Sequence, residues 1–163
     1  MGSDVSGRAD PEARVAGHLL TLVADRHLTA LSAELSALVQ TPRGQPVRRP
    51  LYRGVLTWLV TALADVVVAR LGPAQDGEAF VLEVRTTAGR TVGAGELPPR
   101  QSRVGRSVLP LLAGDRALAR AQLAAAERDP NPAVRATTLV EALIWLDALL
   151  DAETPPFPDP LPE

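Results

Sequence analysis

Apolar residues recur every three or four positions along most of the chain, which is the spacing of amphipathic helices. A first helix is predicted from Pro11 to about Val39, with Asp10 at its N-cap and proline at the first helical position. One apolar stripe in its later half faces a partner helix and consists of Leu28, Leu31, Leu35 and Leu38. The segment 41–46, rich in proline and glycine, ends this helix.

A second helix is predicted from about Val47 to Leu71, where Gly72 and Pro73 stop it. Apolar residues occupy most of its circumference, so we expect it to be the central helix of the domain. Its longest apolar run is about 15 residues and contains Asp65. A bilayer span needs about 20 residues, so we predict a buried helix and no membrane.

The character of the chain changes between residues 74 and 100. Residues 80–86 are rich in strand-forming types, and residues 90–92 predict a short return strand after a turn at Ala88 and Gly89. We therefore predict a β-hairpin at about 79–93. A lone hairpin is marginally stable in water, so this one must lie on the helices or pair with another strand.

Helical patterns return from Ser107 onward. A short helix is predicted at 107–112, then one from Asp115 to about Arg128, and a last one from Asn131 to about Ala152. The predicted fold class is therefore mainly α, with two antiparallel helical hairpins forming a bundle and a β-hairpin inserted between them. The predicted boundaries are a disordered N-terminus at 1–9, one helical domain at 10–153 and an extended proline-rich tail at 154–163.

The two tryptophans mark an internal similarity. Trp58 and Trp145 stand 87 positions apart, each inside a Leu-x-Trp-Leu run, and Val-Arg pairs precede both at the same offset. We predict that the two helices are counterparts that share a core. The alternative is a chance alignment, because helices rich in alanine and leucine align easily with one another.

The second half of the chain resembles a known family over residues 115–150. The run Asp129-Pro-Asn-Pro-Ala-Val-Arg135 and the apolar helix after it look like the turn and second helix of a HEAT-type repeat. In that family an Asp and a Val-Arg pair close the turn between antiparallel helices, and stacked repeats bind other proteins. The resemblance implies a local helical hairpin and favours protein binding. A full solenoid needs about three repeats, and this chain offers at most two.

Composition narrows the range of functions. The 163 residues carry a net charge of −2, 3% aromatic residues and no cysteine. A near-neutral domain with few aromatic side chains is unlike a dedicated nucleic-acid binder, so we expect no nucleic-acid partner. The first residues show no signal-peptide pattern, and we expect a cytoplasmic protein. All 17 basic residues are arginine, which is typical of a GC-rich genome.

Two sets of residues are candidates for binding. Arg100, Arg103 and Arg106 recur every third position and can hold a phosphate or an acidic partner, although a solvated basic loop is the favoured explanation. Trp58 and Trp145 are core residues in one interpretation. In the other they line a groove between the hairpins, where an indole meets a ligand.

The sequence predicts no metal site and no cofactor. His18 and His27, nine positions apart on the first predicted helix, point to opposite faces. No nucleophile motif, phosphate-binding loop or dinucleotide fingerprint is present. We therefore expect a non-catalytic interaction or adaptor module that binds another protein or itself. The alternative is a helical bundle that binds a small molecule or an anion, and an enzyme of unfamiliar type ranks last.

Overall fold

The computed structural model describes residues 10–40, 49–85, 87–99 and 102–152, and this part of the chain is mainly helical. Two short strands, β1 (Glu83–Arg85) and β2 (Thr91–Gly93), and a single 3-10 turn at Ala94–Glu96 lie between the third and fourth helices. The predicted disordered N-terminus 1–9 and the predicted tail 154–163 lie outside the described residues. The helices of the described residues are α1 (Pro11–Ala24), α2 (Leu28–Val39), α3 (Arg49–Leu71), α4 (Arg103–Leu112), α5 (Arg116–Glu127) and α6 (Pro132–Asp151).

The first predicted helix is in fact two helices. α1 begins at Pro11 as predicted but ends at Ala24, and Arg26 adopts a left-handed backbone conformation with φ of 56°. The N–H groups of Arg26 and His27 donate to the carbonyls of Val23 and Leu22 at 3.0 and 2.9 Å. This pattern is a Schellman cap, which glycine usually closes. The prediction of one continuous helix was wrong because arginine occupies the position where glycine would have marked the end.

The same cap recurs between α4 and α5. Gly114 has φ of 77°, and the N–H groups of Gly114 and Asp115 donate to the carbonyls of Leu111 and Pro110 at 3.0 and 2.7 Å. Gly114 lies 88 positions after Arg26. The two turns therefore have the same backbone geometry at equivalent points of the two halves of the chain.

Burial along the helices repeats with nearly the same offset. Each buried residue of α1 has a buried counterpart 88 positions later in α4, and three buried residues of α2 have such counterparts in α5. For α3 and α6 the offset is 87. The repeating unit is therefore three helices long, α1–α3 and α4–α6, whereas the sequence predicted two-helix hairpins. The matched buried pairs are Ala16 and Val104, Leu19 and Ser107, Leu22 and Pro110, Leu31 and Ala119, Leu35 and Leu123, Leu38 and Ala126, Tyr52 and Leu139, Val55 and Ala142, Leu56 and Leu143, and Leu59 and Leu146.

The two tryptophan-bearing helices, α3 and α6, form the centre of the molecule. They pack against each other, and each also contacts α1, α2, α4 and α5. Both indole rings are half-buried and pack against the apolar core. The match between the two helices ends near their last turns, because Leu63 is buried while Leu150, at the same 87-residue offset, is 54% exposed. The segment Leu51–Leu71 of α3, with mean hydropathy 1.7, also has the length and composition of a membrane span.

The predicted strands are shorter in the structure. β1 and β2 pair antiparallel, with Glu83 opposite Gly93 and Arg85 opposite Thr91, but residues 80–82 are not part of a strand. The side chains of Phe80 and Leu82 are half-buried beside the helices. Packing of these side chains against the helices replaces the strand pairing that their residue types favour.

Two helices in the second half of the chain begin after N-cap residues that the sequence predicted. Asp115 accepts a hydrogen bond from the Leu118 N–H, and Asn131 accepts one from the Ala133 N–H, both at 2.9 Å. α4 differs from its predicted range of 107–112, because it begins at Arg103. Arg103 and Arg106 therefore lie on a helix and not in a loop.

Candidate functional site

A cavity of about 410 Å³ lies beside Trp145 and has walls made entirely of apolar residues. Four parts of the chain contribute to it: α3, the segment 80–82, α4 and α6. Its volume falls in the range of about 300–1,000 Å³ that is typical of small-ligand pockets. The lining residues are Leu63, Val67, Leu71, Phe80, Val81, Leu82, Val108, Leu109, Leu112, Trp145, Ala148 and Leu149.

Local chain geometry explains why these four parts meet. Gly72 has φ of 78° and ends α3, so that the chain can turn back and bring Phe80 and Leu82 to the end of that helix. The Arg70 guanidinium donates to the carbonyl oxygens of Leu150 (3.0 Å) and Ala152. These bonds join the last turn of α3 to the last turn of α6, beside the cavity.

Two lining residues leave apolar surface open to solvent. Val81 is 78% exposed and Leu71 is 57% exposed. A single exposed leucine is ordinary. These two side chains lie in the wall of the same apolar cavity, and we call them the apolar rim. Exposed apolar surface beside an apolar cavity is typical of sites of interaction.

The polar capacity of the cavity is low. The Trp145 indole N–H is the one side-chain hydrogen-bond donor among the lining residues, and none of them carries a charge. A ligand in this cavity is therefore held by burial of apolar surface, with at most one directional hydrogen bond to a side chain. Reactions that need a charged acid, base or nucleophile have no side-chain group for them here.

Trp58, the counterpart of Trp145, lines a different cavity of about 540 Å³. Four of the other lining residues there are charged, namely Asp10, Glu12, Arg53 and Glu127. The Arg53 guanidinium lies 3.8 Å from the Glu127 carboxylate. The structure therefore does not bring the two tryptophans into one shared groove, which the sequence offered as one interpretation.

The predicted arginine set is also divided. The Arg103 guanidinium donates to the Asp129 carboxylate at 2.6 Å and to the Ala125 carbonyl at 3.4 Å. The Arg106 side chain donates to the Ser102 hydroxyl at 2.7 Å. Arg100 lies outside the described residues. Both described arginines thus have partners within the fold, and Arg103 is partly buried by its ion pair.

A buried polar network surrounds Asp129, in the turn between α5 and α6. Arg135, 8% exposed, donates to the carbonyl of Asp129 and, at 2.6 Å, to that of Val39 at the end of α2. The Tyr52 hydroxyl donates to the Arg135 carbonyl at 3.1 Å. Burial raises the pKa of Tyr52 above its ordinary value, although the charges of Arg135 and Arg103 oppose this shift.

This network gives the predicted Asp and Val-Arg turn a structural role. Within the described residues, every buried side-chain nitrogen or oxygen has a hydrogen-bond partner. The network joins the turn to α2, α3 and α4, and it contains no polar side chain left over for a ligand. Sequence reasoning found Asp129 and Arg135 through the HEAT-type turn but did not find Tyr52 or the contact with Val39.

Metal binding gains no support from the described part of the chain, which contains no cluster of three or more histidine, aspartate or glutamate side chains arranged to hold an ion. His27 lies in the turn between α1 and α2, and His18 lies within α1.

Comparison with known proteins found no match: no family model, no curated protein and no solved structure is similar to this chain. The resemblance to a HEAT-type repeat stays confined to the local turn and helix.

Proposed function

We propose that this chain is a non-catalytic binding module that takes an apolar side chain of a partner protein into the cavity at Trp145. The observation that carries this proposal is the cavity itself, with twelve apolar lining residues and an apolar rim. Burial of an apolar anchor releases water from both surfaces and yields about 1.5–3 kcal/mol for one large side chain.

The apolar rim supports a protein partner. Leu71 and Val81 keep more than half of their surface in solvent, and a small ligand enclosed by the cavity does not cover all of it. A partner chain covers them when its flanking residues lie across the mouth. Protein interfaces typically combine a buried apolar anchor with a surrounding ring of weaker contacts.

The proposed architecture follows from the repeat. We propose two helical units of three helices each, α1–α3 and α4–α6, with the β1–β2 hairpin inserted between them. The inserted segment reaches only one of the two tryptophans, because Phe80, Val81 and Leu82 line the cavity of Trp145 and not that of Trp58. The insertion thus makes one of two equivalent positions into an apolar site.

A second candidate function is the binding of a small apolar molecule. The volume of about 410 Å³ and the absence of charge among the lining residues favour it. This candidate needs no partner at the rim. The two functions therefore differ in whether a peptide or a free small molecule binds more tightly.

The test compares the chain with a variant whose cavity is filled. Ala148→Leu adds three carbon atoms at the cavity wall, and Ala133→Leu adds the same atoms to an exposed position of α6 away from it. We expect the naphthalene dye ANS to bind the unmodified chain and Ala133→Leu alike, and Ala148→Leu about tenfold more weakly or not at all. Equal dye binding by all three chains contradicts the proposal.

Selection from a displayed peptide library then separates the two candidate functions. Peptides with a shared apolar anchor that bind the unmodified chain and fail on Ala148→Leu support a protein partner. Dye binding that depends on Ala148, with no such peptides, supports the small apolar molecule instead.

A further inference from the structure

A second surface, which shares Leu112 with the wall of the Trp145 cavity, follows the exposed face of α3. The cavity at Trp58, of about 540 Å³, and another of about 610 Å³ share Thr57 and Thr61 in their walls. Together they extend along α3 from Arg53 to Val68, about 22 Å at 1.5 Å per residue. We call this continuous depression the α3–α5 groove, because α5 forms one of its walls.

The two ends of the α3–α5 groove carry opposite charge. At the Arg53 end its walls contain three carboxylates and one guanidinium: Asp10, Glu12, Glu127 and Arg53. At the Val68 end they contain two guanidinium groups and one carboxylate: Arg116, Arg120 and Asp65. One end is therefore acidic and the other basic.

Helix direction fixes this polarity. Glu127 at the end of α5 pairs with Arg53 near the start of α3, and Arg116 at the start of α5 shares a cavity with Val68. α5 thus runs antiparallel to α3. In the described part of the chain neither Arg116 nor Arg120 lies in an ion pair with a carboxylate.

Between these charged ends, α5 presents a narrow exposed ridge of small residues, Ala117, Ala121 and Ala125. Small side chains allow two helices to approach closely, and the interaxial distance of packed helices depends on the side chains between them. Because the exposed side chains of this ridge are small, a second molecule can approach it closely.

We propose that a second copy of this chain occupies the α3–α5 groove in an antiparallel, two-fold arrangement. The α5 ridge of each copy enters the groove of the other. The two-fold axis brings Arg116 and Arg120 of one copy to Asp10 and Glu12 of the other, and it repeats that contact. The charge complementarity of the two ends selects a second copy as the occupant. This inference does not depend on the proposed function, because none of the charged residues or ridge alanines that carry it lines the Trp145 cavity.

Two charge-reversal variants test this arrangement. The first is Arg116→Glu with Arg120→Glu, and the second is Asp10→Arg with Glu12→Arg. In a two-fold dimer either variant places like charges against each other twice, and we expect each to dimerise about tenfold or more weakly than the unmodified chain. Sedimentation velocity measures the fraction of dimer at matched concentrations.

The mixture of the two variants gives the sharper result. One variant has two acidic ends and the other two basic ends, so an equimolar mixture forms heterodimers in which both contacts are attractive. Restored dimer in the mixture supports the proposal. A mixture that stays monomeric, with both chains helical by circular dichroism, overturns it.

A matched control accounts for the change in net charge. Arg14→Glu with Arg85→Glu alters the charge as much as the first variant does, at exposed positions that line neither cavity. We expect this control to dimerise like the unmodified chain. The dimer should also weaken as salt rises from about 0.05 M to about 0.5 M, because ions screen exposed charges. An unmodified chain that stays monomeric at all concentrations also overturns the inference, while dye binding at Trp145 would be unaffected.

Discussion

At the residue scale, Asp129 is a buried carboxylate that holds the turn between α5 and α6 by two hydrogen bonds. It is 5% exposed, its carboxylate accepts from Arg103 at 2.6 Å, and its second oxygen accepts from the Asn131 N–H at 3.0 Å. Its removal leaves a partly buried guanidinium without its counter-charge. A buried charge without a partner is far more costly than an exposed one.

We expect Asp129→Ala to lower the free energy of unfolding by about 3–5 kcal/mol. Arg53→Ala is the matched control, because the Arg53–Glu127 pair is 3.8 Å long with an arginine side chain that is 51% exposed. That loss should be about 0–1 kcal/mol. Urea unfolding of both variants measures the difference, and equal losses would contradict the structural role of the Asp129 network.

Glu141 predicts a dependence of stability on pH. Burial raises the pKa of this carboxyl from 4.5 to about 7 in the folded chain. The folded state then holds a proton that the unfolded state releases above about pH 4.5, so the contribution of Glu141 to stability is present below that pH. It is lost progressively as the pH rises to about 7.

The expected loss between pH 4.5 and pH 7 is on the order of 1 kcal/mol, because solvent at this partly exposed carboxyl screens the effect of burial. Glu141→Gln has no proton to lose, and its stability should fall less over the same interval. Urea unfolding at several pH values tests this. If both chains show the same slope, then burial does not hold Glu141 in its neutral form.

Contacts of Arg135 show which interactions the sequence can predict and which it cannot. The turn motif at 129–135 predicts that Asp129 and Arg135 meet, since they lie six positions apart across a single turn. The bond from Arg135 to the Val39 carbonyl spans 96 positions. No local pattern encodes such a contact, because it depends on how α2 and α6 pack.

At the element scale, two turns of the same geometry carry different residues. Arg26 and Gly114 both adopt positive φ at the C-terminal cap of a helix. An L-residue with a side chain loses about 1–2 kcal/mol in this conformation, whereas glycine is free of that strain. The first turn is therefore strained and the second is not.

Substitutions at these turns should have opposite effects. Arg26→Gly relieves the strain, partly offset by the greater entropy of unfolded glycine, and should stabilise the fold by about 0.5–1 kcal/mol. Gly114→Ala introduces the strain and should destabilise it by about 1 kcal/mol. Thermal unfolding followed by circular dichroism measures both. A stabilising Gly114→Ala would show that the turn geometry differs from the one described here.

Elements with clear signals were predicted well, and those without were not. Pro11, Asp115 and Asn131 mark helix starts that the structure confirms. The end of α1 near Arg26 could not be predicted, because no glycine or proline lies in that turn. The strand predicted at 80–86 is reduced to Glu83–Arg85. Phe80 and Leu82 pack against helices that lie far away in the sequence, and the pattern of neighbouring residues contains no information about that packing.

At the scale of the whole molecule, the two halves of the chain have matching buried positions, but the surroundings of their two tryptophans differ. Trp58 and Trp145 occupy matched, half-buried positions on the two central helices. The chain inserted after α3 borders only Trp145, and charged residues of α1 and α5 border Trp58. The 87-residue offset predicted the matched helices, but it contained no information about which tryptophan the insertion would reach.

The two tryptophans also provide the most direct test of the account. Trp58→Phe leaves Trp145 as the only fluorophore of its kind, and Trp145→Phe leaves Trp58. Bromobenzene, a small apolar quencher, is titrated into each chain. We predict saturable 1:1 quenching of Trp145, lost in Ala148→Leu, and only linear collisional quenching of Trp58. Linear quenching of both tryptophans, or saturation at Trp58 alone, would contradict the claim that the cavity at Trp145 is the binding site.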